Sequence, residues 1–284
     1  MGTRANDIFS GKRRWLLHVV LIIISLAFLV PILWMIITSL KNTNQVFTWP
    51  PILIPSPANW LNYPQALKVS NFGRYFFNTV FLSFWVILGN LFSCTLAAYG
   101  FARLEWKGRD VVFIIVLATL VLPDQVTLVP LFIVFRNLNL VGGGYKGYLP
   151  LILPFWFGKA YYIFMMRQFF MGIPKDLSDA ARIDGCSELG ILWRIMIPLS
   201  KPALIAVSIF TLLNTWNDFL NPLVYIQDPK FYTISIGLAN FQDRYMTQWN
   251  QLMAAAAMMS LPVLIVFIIA QKQFVQGISM TGLK

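Results

Sequence analysis

Six long apolar runs, separated by polar stretches, dominate the chain. The first, at 15–40, holds no Asp, Glu, Lys or Arg. At about 1.5 Å per residue it is longer than the roughly 30 Å of hydrocarbon in a bilayer. The others lie near 76–100, 111–135, 148–168, 202–226 and 251–271. The pattern predicts an all-α membrane protein with six transmembrane helices in one domain, 1–284, and an even number of spans returns both termini to the same side. Lys12, Arg13 and Arg14 precede the first run as they would in a signal peptide. The run is too long for a signal-peptide core and no small-residue cleavage site follows it, so it reads as a retained helix.

Composition agrees. The chain is 58% hydrophobic and only 12% charged, about half the usual soluble share of charge. A soluble domain could not bury that much apolar surface, whereas a bilayer is itself the solvent for it. A net charge of +11 would also suit nucleic-acid binding. The basic residues, however, form short clusters between apolar runs, which is a membrane pattern and argues against nucleic acid as a partner. Fourteen Lys and Arg fall in the segments on one side, seven on the other, and Lys159 lies within a span. That excess predicts cytoplasmic termini and a cytoplasmic 167–201 segment. The outer segment 41–74 is rich in Pro, Asn and Trp, which suits turns and an interfacial aromatic layer against lipid. Two thiols, Cys94 and Cys186, make neither a disulfide framework nor a zinc site. A single histidine, His18, is too little for metal or acid–base chemistry.

The polar loop at 172–200 is the most informative stretch. It reads as two short helices joined by a glycine. Pro174 suits a first helical turn, and Asp176 and Asp179 favour the positive end of that helix dipole. Gly185 is placed to end the first helix. Ser187 can cap the second, with Glu188 in its first turn. Pro198 and Pro202 mark its end and the start of the fifth span. Ala180 and Ala181 offer a small surface that another molecule can approach closely. An ordinary amphipathic re-entry helix would read the same way.

This loop resembles the EAA motif of the permease subunits of binding-protein-dependent ABC importers. The motif residues here are Asp179-Ala180-Ala181, Gly185 and Ile195-Met196-Ile197-Pro198, at the family spacing. Asp stands at 179 where the motif has Glu, and Ile at 197 where it has Leu. The segments "PPILIPSPANWLNY", "LPDQVTLVPLF", "TWNDFLNPLVYI" and "LPVLIVFIIAQKQFVQGISMTGLK" resemble the carbohydrate branch of that family, in particular its maltose-type second permease subunit. The resemblance implies the type I importer permease fold in a bacterial or archaeal cytoplasmic membrane. It implies contact with a cytoplasmic ATPase through Asp179, Ala180, Ala181, Asp184, Gly185, Ile195 and Pro198. It also implies two ATPase copies, a second homologous permease and an extracytoplasmic solute-binding protein. Neither "FSGKRRW" nor "FWFGKAYY" completes a phosphate loop, so this chain is expected to be non-catalytic and to bind no cofactor, with ATP and Mg held by the partner.

Charges within spans are expensive and therefore candidates for function. Asp124, Lys159 and Asp218 are the three here. Lys159 can contact solute hydroxyls, pair with Asp124 or snorkel. Asn214, Asp218 and Asn221 recur at i, i+4 and i+7 and so are expected on one helix face, lining a path or bonding between helices. Trp216 and Phe219 beside them suit ring stacking or interfacial anchoring. Pro123 with Pro130, and Pro150 with Pro154, should break backbone hydrogen bonds in the third and fourth spans. The competing reading is an ion-gradient-driven secondary transporter, which would need midspan carboxylates and internal repeats.

Overall fold

The computed structural model describes residues 11–69, 71–244 and 248–281. Arg4 and Lys284, both counted for orientation, lie outside the described residues. In chain order the helices are α1 (Gly11–Ser39), α2 (Asn62–Val69), α3 (Phe72–Ala102), α4 (Arg109–Ala118), α5 (Asp124–Asn137), α6 (Leu149–Trp156) and α7 (Ala160–Gly172). They continue with α8 (Asp176–Ile183), α9 (Glu188–Leu199), α10 (Lys201–Asn217), α11 (Leu220–Tyr225), α12 (Ile234–Arg244) and α13 (Trp249–Thr281). Among the described residues no β-strand forms; a single bridge joins Gly142 and Ile226.

Four stretches are long and apolar enough to cross a membrane, and six if each of two sharply bent helix pairs counts as one span. The four are Trp15–Ser39, Phe72–Ala102, Gly144–Gly172 and Trp249–Gln271. The bent pairs are Arg109–Val121 with Asp124–Asn137, at 101°, and Glu188–Leu199 with Lys201–Asn217, at 79°. The third expected span, 111–135, is therefore angular rather than straight, while the second bend falls just before the fifth, where the 172–200 loop turns into Lys201–Asn217.

The chain divides into two compact units. One holds α1, α2 and the start of α13. The most apolar stretch of α1 buries none of its residues within the chain, as expected of a helix whose solvent is lipid. Past its end the backbone is tied by asparagines. The Asn62 amide donates to the carbonyls of Ser39 (2.8 Å) and Lys41 (2.9 Å), and Asn250 donates to Asn62 Oδ1 (3.0 Å). Phe47 and Trp249 meet edge to face at 6.2 Å.

In the other unit α3 is the helix on which α6, α7 and α10 all pack. Two cores form along it. The C-terminal half of α3 gives Cys94, Ala98 and Tyr99 to a cluster with Met166 and Phe170 of α7 and with Ile191, Leu192 and Met196 of α9. The N-terminal half gives Leu82 and Val86 to a second cluster with Tyr148, Leu151, Tyr225 and Ile226. Close approach is set by glycine at one point: a Cβ on Gly89 would lie 2.2 Å from the Trp156 ring. Interior polar groups pair between helices, as when Asn90 donates to Thr211 Oγ1 at 2.7 Å.

Candidate functional site

The 172–200 loop folds as two short helices around a glycine. α8 begins at Asp176, so Pro174 precedes the helix instead of sitting in its first turn. Its end is a Schellman turn. The Cys186 N–H donates to Ala181 O (2.9 Å), the Gly185 N–H donates to Arg182 O (3.0 Å), and Gly185 has φ +79°. Asp184 is the C-cap of α8. Ser187 Oγ accepts from the Gly190 N–H at 3.2 Å and caps α9, with Glu188 in the first turn. α9 then widens to π geometry over Leu192–Met196, where the Ile197 N–H bonds to Leu192 O. Ile195 lies in that wide turn and Pro198 just after it. Pro198 does not stop the helix, which runs on to Leu199.

The two alanines have different surroundings. Ala180 is exposed, but Ala181 is buried in the core cluster with Ile191, Leu192 and Phe170. Adjacent helical residues differ by about 100° in direction, so a flat face of two alanines does not form. The outward surface carries Leu177, Asp179, Ala180, Asp184, Gly185 and Ile183, the last 87% exposed.

An ion-pair bracket closes the turn. Arg182 donates through Nη1 to Asp179 Oδ1 (2.6 Å), through Nε to Glu188 Oε1 (2.7 Å) and through Nη2 to Glu188 Oε2 (3.3 Å). Glu188 Oε2 also accepts from the Tyr99 hydroxyl of α3 at 2.6 Å. Arg182 first, then Tyr99, hold the Glu188 carboxyl below its ordinary range, and Glu188 holds the Arg182 guanidinium above its own. Next to the bracket, Arg103 at the end of α3 donates to the carbonyls of Phe170 (2.6 Å) and Ile173 at the end of α7. Between these groups lies a cleft of about 640 Å³ lined by Arg103, Trp106, Lys175, Asp179, Arg182 and Glu188, among others.

The three charged residues expected within spans all sit at helix breaks. A 3-10 turn at Thr119–Val121 followed by extended Leu122 and Pro123 links α4 to α5, and Asp124 opens α5. Gly158 (φ +85°) separates α6 from α7, and Lys159 is the N-cap of α7. Asp218 ends α10 with extended ψ of 119°. The i, i+4, i+7 face is therefore not continuous. Asp218 instead caps α11, accepting from the Asn221 backbone N–H (3.2 Å) and side-chain amide (2.9 Å). Asn214 donates to the Tyr162 hydroxyl at 2.8 Å, an interhelical bond. Pro150 lies in the first turn of α6 and Pro154 inside that helix, and the break between α6 and α7 falls at Gly158 and Lys159.

Lys159 Nζ stands 3.8 Å from Asp124 Oδ1 and 5.3 Å from the Phe155 ring centroid. The pairing is loose: the Asp124 side chain is 87% exposed. Trp216 is buried, its indole N–H donating to Met259 O at 3.1 Å, so it is a packing residue and not an interfacial anchor. Sequence reasoning missed Tyr99, Arg103 and Gly158. Tyr99 pairs across 89 positions, which no local period reveals. Gly158 could have been found, since a glycine followed by lysine inside an apolar run is a breaker signal.

Residues 89–280 match the family model described as binding-protein-dependent transport system inner membrane component. The chain is 34% identical over 264 residues to the arabinooligosaccharides transport system permease protein of Bacillus subtilis (strain 168), covering 92% of each. It is 34% identical over 283 residues to the sn-glycerol-3-phosphate transport system permease protein of Yersinia enterocolitica, covering 97% of this chain and 96% of the relative. A crystal structure of a bacterial ABC transporter involved in import of the acidic polysaccharide alginate contains a chain of the same fold. That match has a TM-score of 0.78 at 23% identity and covers 95% of this chain and 100% of the other.

Proposed function

This chain belongs to the inner-membrane components of binding-protein-dependent transport systems, and we propose that it is one permease half of an ATP-driven importer for a sugar or sugar-like solute. The observation that carries the reading is the 172–200 loop, which turns a partly apolar, partly acidic surface outward while Ala181, Ile191 and Met196 anchor it from beneath. A surface held that firmly suits docking to a rigid partner. On this reading a cytoplasmic ATPase, present in two copies and holding ATP and Mg, contacts Asp179, Ala180, Asp184 and Gly185 directly. Ala181, Ile195 and Pro198 shape the loop behind them. A second homologous permease completes the path, and an extracytoplasmic binding protein delivers the solute. The setting is a bacterial or archaeal cytoplasmic membrane with both termini on the cytoplasmic side.

The mechanism is alternating access. Closure of the ATPase pair moves the loop, and the loop moves the bundle. The helix breaks lie on the solute path, where Asp124, Lys159, Asp218 and Asn221 supply acceptors and donors for hydroxyl groups. Asn214, bonded to Tyr162, positions α10 beside that path. Relatives named for an oligosaccharide and for a phosphorylated polyol both carry solutes rich in such hydroxyls.

The test is solute-stimulated ATP hydrolysis by the chain reconstituted with its ATPase, sister permease and binding protein, beside an Asp179→Lys variant. Stimulation that the variant loses supports the proposal. A chain that purifies alone and moves solute on an ion gradient overturns it in favour of a secondary transporter.

A further inference from the structure

We infer that Tyr99 and Glu188 are positioning residues that tether the cytoplasmic loop to membrane helix α3, so that loop motion reaches the bundle through one hydroxyl–carboxylate contact. This rests on the importer reading above.

The argument starts from what joins α9 to α3. Their apolar contact is slippery: Ile191, Leu192 and Met196 share one core cluster with Cys94, Ala98 and Tyr99 of α3 and Phe170 of α7, and apolar burial is non-directional. The directional contact at this junction is from the Tyr99 hydroxyl to Glu188 Oε2 at 2.6 Å, a charge-assisted bond, which is both shorter and stronger than a neutral one. Tyr99 is 3% exposed and its ring meets Phe170 edge to face at 6.3 Å, so the hydroxyl is held in place. Glu188 is held from the other side by two nitrogens of Arg182, and Arg182 in turn holds Asp179. Asp179, Arg182, Glu188 and Tyr99 thus form an unbroken chain of polar contacts from the outward surface of the loop to the interior of α3. At the same level Arg103 fixes the end of α3 to the carbonyls of Phe170 and Ile173. A pull on Glu188 therefore acts on α3 and α7 together.

Removing the Tyr99 hydroxyl leaves the ring and its packing unchanged, which separates a tether from a structural contact. The experiment compares the reconstituted assembly with its Tyr99→Phe, Glu188→Gln and double variants. The readouts are ATPase retained on purification, solute-stimulated hydrolysis and solute imported per ATP. The expected result is normal ATPase retention with import per ATP reduced about tenfold in Tyr99→Phe, the scale of one lost charge-assisted bond. The double variant should be no worse than the poorer single one, since both act on the same contact. If the unmodified assembly is coupled and Tyr99→Phe imports as much per ATP, the tether is overturned alone. If the two single effects add, the shared contact is likewise overturned. If the unmodified assembly shows no solute-stimulated hydrolysis, the importer reading falls and takes the tether with it.

Discussion

The 172–200 loop and the helix breaks both gather charge, yet they use it in opposite ways. In the loop, Arg182 spans two carboxylates at 2.6 and 2.7 Å, and Tyr99 adds a third bond to one of them. At the breaks, Lys159 and Asp124 stand 3.8 Å apart, with Asp124 largely exposed. Charge holds the geometry in the first region. In the second the backbone holds the geometry, through Gly158 and the proline before α5, and the charges are left free to meet something else. The comparison predicts that stability follows the glycines at the breaks and the ion pairs in the loop.

The largest effect should come from Gly89, which supports the helix leading into the Gly158 break. An added Cβ would sit 2.2 Å from the Trp156 ring, and an indole flanked by the Trp85 and Phe92 rings cannot swing aside as a chain end could. Gly89→Ala should cost about 1–3 kcal/mol, the range for overpacking, read as a lower thermal midpoint in detergent. A Gly89→Ala protein as stable as the parent would show that α6 yields, and that the break is not held by packing. Next comes Gly158→Ala. At φ +85° an L side chain is strained by about 1–2 kcal/mol, and its Cβ would also meet Ile163 Cδ1 at 3.0 Å. The midpoint should fall again, but less.

Gly185 in the loop provides the contrast. It too has positive φ, but no atom lies within 4 Å of a Cβ built there, so only strain opposes Gly185→Ala. Arg182→Ala should matter at least as much to this region. It leaves Asp179 and Glu188 as uncompensated neighbours across the turn. Because Arg182 and its partners are more than a third exposed, solvent screens the stability effect to well below that of a buried pair. The clearer readout is faster amide exchange over 176–190, with a difference from the parent that shrinks as salt rises. The pH dependence has a definite sign. The folded Glu188 carboxyl titrates below its unfolded value, so its contribution is complete above that unfolded value and is lost only as pH falls through the lower, folded one. Exchange in the parent loop, taken relative to the intrinsic amide rate at each pH, should therefore not change between mildly alkaline and mildly acidic pH. A rise near neutral pH would contradict the bracket.

Much of this was legible in the sequence, for local reasons. The spans follow from apolar run length, and the loop turn from Gly185, Ser187 and Glu188, whose roles depend on neighbours within a few positions. The stripe of Asn214, Asp218 and Asn221 was misread because helical periodicity assumes a continuous helix. Asp218 is a residue that ends one helix and caps the next. Ala180 and Ala181 read alike by composition, and only the packing of Ile191 and Phe170 separates them. Tyr99 was invisible because its partner is remote in sequence.

The smallest effect on stability, and the sharpest division between the regions, should come from Lys159→Met. The side chain is 39% exposed and its pair with Asp124 is long, so its loss should change stability by no more than about 1 kcal/mol, as for surface ion pairs, and leave the thermal midpoint nearly unmoved. The stem still covers Phe155, since Met keeps most of that length. If the breaks leave their charges free for solute, the same variant should nonetheless change transport, raising the solute concentration needed for half-maximal import while solute-independent ATP hydrolysis stays at the parental level. A variant as stable as the parent but altered in that concentration dependence separates the two uses of charge. A variant that unfolds would mean that the Lys159–Asp124 pair is structural after all, and the breaks would then resemble the loop.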